Sequence, residues 1–117
     1  VNQIGNLELA RLSAAEMSQA MAGDRLFRRL SALKEPLSSF EFETLLVDPP
    51  RAGLDSDTLG LAKSFARILY ISCSPKSLIE NLAELNETHH IEALAFFDQF
   101  PYTEHLESGV ILKRRPI

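Results

Sequence analysis

Three short segments of the sequence carry side chains that could do chemistry. They are the run Asp-Pro-Pro-Arg that begins at Asp48, the run Ser-Cys-Ser-Pro around Cys73, and a run of aromatic and polar residues that closes with Glu107. A cysteine thiolate is a strong nucleophile, and a carboxylate can remove a proton or accept hydrogen bonds from a ligand. The three segments therefore contain the parts of covalent catalysis by a thiol with the help of a base.

Each of these residues also has a structural interpretation. An aspartate after a strand often caps the following turn, and a lone cysteine is more often a small buried apolar residue than a nucleophile. The aromatic residues before Glu107 are typical packing residues, and His105 has no partner that the sequence reveals. The residue types alone leave both interpretations open.

Two strand-like runs precede the first two segments. Residues 44–48 and 67–72 are apolar on both faces, which is typical of buried strands in a parallel sheet, and each ends at a proline-containing turn. A helix is predicted over residues 55–65. Crossover handedness then places the two strand ends side by side at one sheet edge, where open α/β sheets bind ligands.

A further helix is predicted to follow Cys73, beginning at Ser74 or Ser77 and running to about Asn86. If it begins at Ser74 with Pro75 in its first turn, the thiol lies near a positive helix terminus. That position favours the thiolate form of Cys73, whereas a carboxylate close by would oppose it.

The two ends of the chain differ in their predicted elements. Residues 6–12 are predicted to form a short strand that leads into a helix, with Ser13 and Glu16 as a capping box and Asp24 as the cap of a second turn-rich stretch. Residues 91–97 and 109–112 are strand-like with no helix between them, which indicates an antiparallel pair. We therefore predict an α/β fold, the second half of a Rossmann-like domain with a mostly parallel sheet and a C-terminal antiparallel hairpin.

Composition excludes some classes of protein and leaves others unsupported. No apolar run approaches the roughly 20 residues of a membrane-spanning helix, so we expect no membrane partner. The single cysteine excludes an internal disulfide and favours a cytoplasmic location, and the His and Cys spacing predicts no metal site. The net charge of −4 and the absence of a Gly-rich phosphate loop by themselves favour neither a nucleic-acid nor a nucleotide ligand.

Taken together, the three segments give the sequence a family resemblance. In residue identity and order they resemble motifs of the RNA 5-methyluridine methyltransferase family. The matching segments are residues 45–54 (Leu-Leu-Val-Asp-Pro-Pro-Arg-Ala-Gly-Leu), 71–75 (Ile-Ser-Cys-Ser-Pro) and 98–107 (Asp-Gln-Phe-Pro-Tyr-Thr-Glu-His-Leu-Glu). The resemblance extends to the Asn-x-x-x-Asn-Leu run that starts at Asn2. The Gln-Phe-Pro-Tyr form is closest to the tRNA branch.

The resemblance implies specific roles. Cys73 would be the nucleophile and Glu107 the proton acceptor, Asp48 would contact S-adenosylmethionine, and Arg51 would contact the RNA substrate. The expected product is 5-methyluridine in RNA, and the resemblance to the tRNA branch implies that the T-loop uridine of tRNA is the residue modified. Ser74 departs from the family pattern, which has Asn there, so the hydrogen bond made beside the nucleophile is in question.

The resemblance also implies that residues 1–117 are the C-terminal part of a catalytic domain. The Gly-containing cofactor loop and the RNA-binding part are expected outside this chain, which could then expose a sheet edge and self-associate. Three alternatives are weighed: a ribosomal RNA 5-methyluridine methyltransferase, a non-catalytic α/β interaction module, and methylation of an adenine amino group. The last is disfavoured because Arg51 follows the prolines where a stacking aromatic is expected.

Overall fold

The computed structural model describes residues 6–23 and 28–116. The chain divides into two compact units, Val1–Glu41 and Phe42–Ile117. The start of the Asn-x-x-x-Asn-Leu run at Asn2 and the predicted cap at Asp24 lie outside the described residues. In the described part of the chain, no helix combines the length and the apolar character that crossing a membrane requires.

Helix α1 of the first unit spans Ala14–Met21 and begins where its capping residues predict. The Ser13 hydroxyl accepts a hydrogen bond from the Glu16 backbone N–H at 3.1 Å, which is one of the two bonds of a capping box. The chain leaves the helix at Gly23, whose φ of 77° is the left-handed conformation that glycine adopts at helix ends.

The strand predicted over residues 6–12 is wrong. Residues 7–13 have no regular secondary structure, and none of the described strands pairs with them. An isolated extended segment cannot satisfy its backbone N–H and C=O groups as a sheet does, so alternation alone did not make a strand. Two 3-10 helices, Arg28–Ala32 and Leu37–Ser39, lie further along this unit.

The second unit is a four-stranded sheet with two helices. Its strands are connected in the order β1-β2-β4-β3. The elements are β1 Thr44–Val47, α2 Ser56–Ala62, β2 Arg67–Ser72, α3 Pro75–Leu85, β3 His89–Phe97 and β4 Glu107–Arg114.

The α/β class and the terminal antiparallel hairpin are confirmed, whereas the mostly parallel sheet is wrong. Among the described strands, β1 and β2 pair in parallel, and β2–β4 and β3–β4 are antiparallel. The last strand inserts between β2 and β3, so both of its neighbours run against it. The sheet is therefore mixed.

The core lies on the face of the sheet that α2 and α3 cover. Alternate residues of β2 and β4 enter it because strand side chains point to opposite faces in turn. The buried cluster consists of Leu59, Ala62, Ile68, Tyr70, Leu78, Leu85, Val110 and Leu112.

The opposite face of the sheet keeps large apolar side chains exposed. Leu46 is 61% exposed, Ile71 41% and Phe97 53%. The prediction that β1 and β2 are buried on both faces is therefore wrong for this face. The strand alternation that buries Tyr70 sends Ile71 away from the helices.

Helix α3 begins immediately after Cys73, at the earlier of the two predicted positions. Ser74 is its N-cap residue and Pro75 its first residue, where the missing N–H of proline is not needed. The Ser74 side chain makes no capping hydrogen bond. Ile79 is 67% exposed, since the buried face of the helix consists of Ser77, Leu78, Asn81 and Leu85.

Candidate active site

The carboxyl ends of β1 and β2 bring two of the predicted segments to one edge of the sheet. Val47 and Tyr70 are partners in the parallel β1–β2 pair. Asp48 follows Val47 and is exposed, and Cys73 follows β2 and is half-buried. The loop after β1 and the turn around Cys73 thus leave the sheet on the same side, as predicted.

Pairing with β4 brings Glu107 to the same edge. In the antiparallel β2–β4 ladder the last rung joins Ser72 to Ser108, both of which are buried. Cys73 follows Ser72 along the chain just beyond the end of β2, and Glu107 precedes Ser108 as the first residue of β4. Cys73 and Glu107 therefore stand at the same end of the β2–β4 pair, although they are distant in the sequence.

The turn that presents Cys73 is held by the side chain before it. The Ser72 hydroxyl donates to the Ser74 carbonyl at 2.9 Å and accepts from the Ser74 backbone N–H at 3.1 Å. The same carbonyl accepts from the Ser77 hydroxyl at 3.3 Å. Cys73 is thereby held between the end of β2 and the start of α3, near the positive end of that helix.

The loop after β1 also touches the loop before β4. Nη2 of Arg51 lies 2.9 Å from Nδ1 and 3.2 Å from Nε2 of His105. A guanidinium can only donate, so the closer ring nitrogen must be unprotonated to accept this hydrogen bond. Arg51, predicted as a substrate contact, is therefore joined to the loop that carries Glu107.

The loop between β3 and β4 holds His105 and exposes aromatic rings. The Thr103 hydroxyl donates to the Phe100 carbonyl at 2.6 Å and accepts from the His105 backbone N–H at 3.2 Å. The rings of Phe100 and His105 meet edge to face with centroids 6.2 Å apart. Tyr102 is fully exposed at φ 63°, a conformation that is uncommon for a residue other than glycine. This loop presents aromatic surface beside Glu107 instead of packing all of it.

Sequence reasoning missed Asn81, which lies in the core 7% exposed. Its Oδ1 accepts hydrogen bonds from the Leu54 backbone N–H at 2.9 Å and from the Tyr70 hydroxyl at 2.6 Å. Burial raises the pKa of Tyr70 to about 12, so the hydroxyl stays protonated and donates. A signal was present, because Asn81 stands between Leu78 and Leu85 on the apolar face of a helix.

Metal ligands do not converge in the described ranges 6–23 and 28–116. There, no three or more His, Cys, Asp or Glu side chains form a group that could hold an ion. His89 is engaged structurally, since its Nε2 lies 2.7 Å from the Phe65 carbonyl and its Nδ1 2.7 Å from the Thr88 hydroxyl.

Comparison with known proteins decides the family. The family model described as tRNA (uracil-5-)-methyltransferase matches residues 1–115. The chain belongs to this family. The resemblance that the three segments suggest is confirmed, and the matched range includes the segments of Cys73 and Glu107.

Curated members of the tRNA (uracil-5-)-methyltransferase family resemble the chain along almost its whole length. A tRNA/tmRNA (uracil-C(5))-methyltransferase of Acinetobacter baumannii (strain ACICU) is 55% identical over 113 residues, which are 97% of this chain. The enzyme of the same name from Shewanella pealeana is 54% identical over 115 residues, or 98% of this chain. In both cases the chain spans 31% of the length of the relative.

A solved structure of a tRNA methyltransferase shares the fold. The crystal structure of Pyrococcus abyssi tRNA (uracil-54, C5)-methyltransferase in complex with S-adenosyl-L-homocysteine matches with a TM-score of 0.54 and 32% identity. The match covers 63% of this chain and 19% of that one. The prediction of a Rossmann-like methyltransferase fold is confirmed, with the sheet corrected to a mixed one.

Proposed function

We propose that the protein containing this chain methylates C5 of a uridine in tRNA, with Cys73 as the nucleophile and Glu107 as the base. The observation that carries the proposal is the register of β2 and β4, whose last rung, Ser72–Ser108, directly adjoins both Cys73 and Glu107 along the chain. The family membership supports the uracil C5 chemistry. Asp48 and Arg51 lie on the adjoining loop and belong to the proposed site.

The chemistry explains why a thiol and a base must be neighbours. C5 of uracil is too weak a nucleophile to attack an electrophilic methyl group unaided. In the proposed reaction the Cys73 thiolate forms a bond to C6, and the electron pair of the C5–C6 double bond moves toward C5 and the adjacent carbonyl. S-adenosylmethionine, when bound, supplies the methyl group that C5 takes up. Glu107 then removes the C5 proton, the double bond forms again, and the thiolate is expelled.

The described residues fit part of a cofactor site. Asp48 offers an exposed carboxylate at the carboxyl end of β1, the edge where α/β sheets bind nucleotide-like ligands. A carboxylate there can accept hydrogen bonds from amino or hydroxyl groups of S-adenosylmethionine. The Pyrococcus abyssi relative was solved with S-adenosyl-L-homocysteine, which supports the same cofactor here.

The proposed substrate is the T-loop uridine of tRNA. The relatives are named for tRNA and tmRNA, and the Pyrococcus abyssi enzyme for uracil 54 of tRNA. The target base would have to leave its stack to reach Cys73, and exposed aromatic rings such as Tyr102 can stack on unpaired bases. Arg51 would contact the RNA. We also propose that the protein is cytoplasmic, in the same compartment as its tRNA substrate.

The chain is proposed to be the C-terminal part of the catalytic domain. It spans 31% of the length of its curated relatives, and Asp48, Cys73 and Glu107 all fall within it. The glycine-containing cofactor loop and most of the RNA-binding surface would then come from residues outside 1–117. We expect the isolated chain to be inactive.

The isolated chain is also proposed to self-associate through β1. Within the described sheet β1 pairs with β2 on one side, and its Leu46 is 61% exposed. Open strand edges beside apolar side chains are templates for pairing with another copy. Analytical ultracentrifugation should show association that Leu46→Lys weakens. A monodisperse monomer of the unaltered chain would contradict this part of the proposal.

Trapping the covalent intermediate tests the proposed mechanism. The natural polypeptide that contains residues 1–117 is incubated with S-adenosylmethionine and a T-arm RNA carrying 5-fluorouridine at the target position. Fluorine at C5 cannot be removed as a proton is, so the methylated adduct should persist and appear by mass spectrometry. Cys73→Ala and Cys73→Ser should give no adduct. An adduct that survives both substitutions would refute the nucleophile assignment, and no adduct with any variant would favour the non-catalytic module.

A further inference from the structure

We propose that Asn81 is a positioning residue, which sets the loop carrying Asp48 and Arg51 at its working distance from Cys73. The inference rests on the proposed function and adds a residue to it. Asn81 is buried among apolar side chains, yet its carboxamide is turned toward the backbone of that loop.

The hydrogen bonds of Asn81 connect two other segments of the chain. Its Oδ1 accepts from the Leu54 backbone N–H at 2.9 Å, at the end of the loop, and from the Tyr70 hydroxyl at 2.6 Å, in β2. A carbonyl oxygen has two lone pairs, so these two donors use its accepting capacity fully. Tyr70 is itself 1% exposed, which leaves water little access to the network.

Gly53 shows that the loop is fitted closely onto this carboxamide. A Cβ at Gly53 would lie 2.7 Å from Oδ1 of Asn81 and 3.1 Å from Cβ of Ser77. Its φ of 80° also requires glycine, and its N–H donates to the Pro50 carbonyl at 2.9 Å, which closes the turn after the prolines. The backbone of the loop therefore lies directly on α3.

The three joined segments flank the nucleophile. Tyr70 lies in β2, which ends at Ser72, just before Cys73, and Asn81 lies in α3, which begins at Pro75, just after it. The third segment is the loop that begins with Asp48. Asn81 thus joins the strand and helix on either side of Cys73 to the loop proposed to bind cofactor and RNA. Loss of this connection would move groups that must be placed to within about 1 Å, a displacement that can cost roughly 100-fold in rate.

Separate measurement of kcat and KM tests this role in the natural polypeptide that contains the chain. Asn81→Ala should lower kcat/KM roughly 10- to 100-fold, with part of the loss in the KM for S-adenosylmethionine. Asn81→Asp keeps an acceptor for both donors and should recover most of the loss. Asn86→Ala is the matched control, because Asn86 also bonds another segment through its side chain but contacts Arg115 instead of the loop.

Hydrogen exchange provides a readout that does not depend on activity. In the 117-residue chain the Leu54 amide should be protected, and Asn81→Ala should abolish that protection while Asn86→Ala preserves it. The proposal is overturned if Asn81→Ala lowers kcat/KM no more than Asn86→Ala does, or if the Leu54 amide exchanges freely in the unaltered chain. Failure of the unaltered protein to form the 5-fluorouridine adduct would instead overturn the proposed function. The exchange result would still test the hydrogen bond between the Leu54 amide and Asn81.

Discussion

Ser72 and Ser108 form the last rung of the antiparallel β2–β4 pair, and Cys73 and Glu107 are the next residues outward from it. This relationship suits the proposed chemistry because the thiolate adds to C6 of uracil and the base removes a proton from C5, and these two atoms are bonded to each other. A nucleophile for one and a base for the other must therefore be close neighbours. The last rung of the ladder brings the two residues to the same end of the β2–β4 pair, although they are far apart in the sequence.

Replacement of Glu107, the proposed general base, should separate methyl transfer from the removal of the C5 proton. Glu107→Gln should leave thiol addition and methyl transfer largely intact but slow the loss of the C5 proton, which lowers kcat roughly 10²- to 10⁴-fold. A methylated adduct should then accumulate with ordinary uridine-containing RNA and be visible by mass spectrometry. Glu104→Gln in the exposed part of the same loop is the control and should turn over normally. Normal turnover of Glu107→Gln would show that another group removes the proton.

Arg51 and His105 should be energetically coupled, because Nη2 of Arg51 lies 2.9 Å from Nδ1 of His105. Both side chains are accessible to solvent, so we expect a coupling of only about 0.5–1 kcal/mol in a double-mutant cycle of Arg51→Ala and His105→Ala. The measured quantity is the free energy of binding a T-arm RNA. Strict additivity of the two substitutions would show that the two loops act independently.

Gly53→Ala should destabilise the second unit. The left-handed φ of 80° costs a residue with a Cβ roughly 1–3 kcal/mol, and the close approach to Asn81 adds to that cost. Gly60→Ala is a matched control, because Gly60 lies within α2 and a Cβ there meets nothing within 4 Å. That control should instead stabilise by about 0.5–1 kcal/mol. Urea denaturation measures both, and equal effects of the two substitutions would contradict the prediction.

His89 should make the fold sensitive to mild acid. Burial, the largest cause, lowers its pKa, although the hydrogen bond to the Phe65 carbonyl partly opposes this shift. The folded protein then binds a proton less readily than the unfolded chain. The stability that this difference in pKa contributes is fully present above about pH 6.5. It is lost progressively as the pH falls from there toward the lowered pKa of His89.

The NMR titration of the His89 imidazole measures this pKa directly. Its midpoint should lie below that of an unfolded reference peptide. The melting temperature should fall as the pH drops below about 6.5 in the unaltered chain and also in His90→Ala, since the charge of His90 is the smallest of the causes that lower the His89 pKa. A midpoint at or above the reference would contradict the burial argument.

Asp55 should contribute stability that acid removes at lower pH. Its carboxylate accepts the Thr58 backbone N–H at 2.7 Å at the start of α2, and this hydrogen bond is the largest cause of its lowered pKa. A lowered carboxyl pKa gives stability that is present above the unfolded value, near 3.9, and lost as the pH falls below it. Asp55→Ala should cost about 1 kcal/mol at pH 7.

Asp55→Asn is the informative partner variant, because an amide oxygen can accept the same hydrogen bond but does not titrate. It should retain most of the stability at pH 7 and show less loss between pH 5 and 3. If Asp55→Asn and Asp55→Ala are equally unstable at pH 7, the contribution comes from charge and not from the cap.

The strand and helix next to Cys73 could be predicted because the local sequence specifies them. The apolar run of β2 followed by Ser72-Cys73-Ser74-Pro75 predicts the strand, the turn and the start of α3, and the structure has each of them. Proline at the first helical position and a capping residue before it act within a few residues, so no knowledge of the rest of the fold is needed. The family resemblance rests on the same local segments.

Other features could not be predicted since they depend on partners far along the chain. The place of β4 between β2 and β3 makes the sheet mixed, and the helices cover only one of its faces, so Leu46 and Ile71 are exposed. The strand predicted near the start failed because pairing, and not alternation, makes a strand. Asn81 looked like one polar residue on a helix until the fold placed the Leu54 amide beside it.

The sequence by itself determined which residues have the chemistry, namely a thiol, a carboxylate base and a loop with an acid and an arginine, and which family they belong to. Only the tertiary structure decided how they are arranged: the β2–β4 register brings Cys73 and Glu107 to the same end of one strand pair, and Arg51 contacts His105. The physical reason is that residue type and local conformation are set by neighbours in sequence, whereas register and burial are set by contacts between segments that the chain order does not specify.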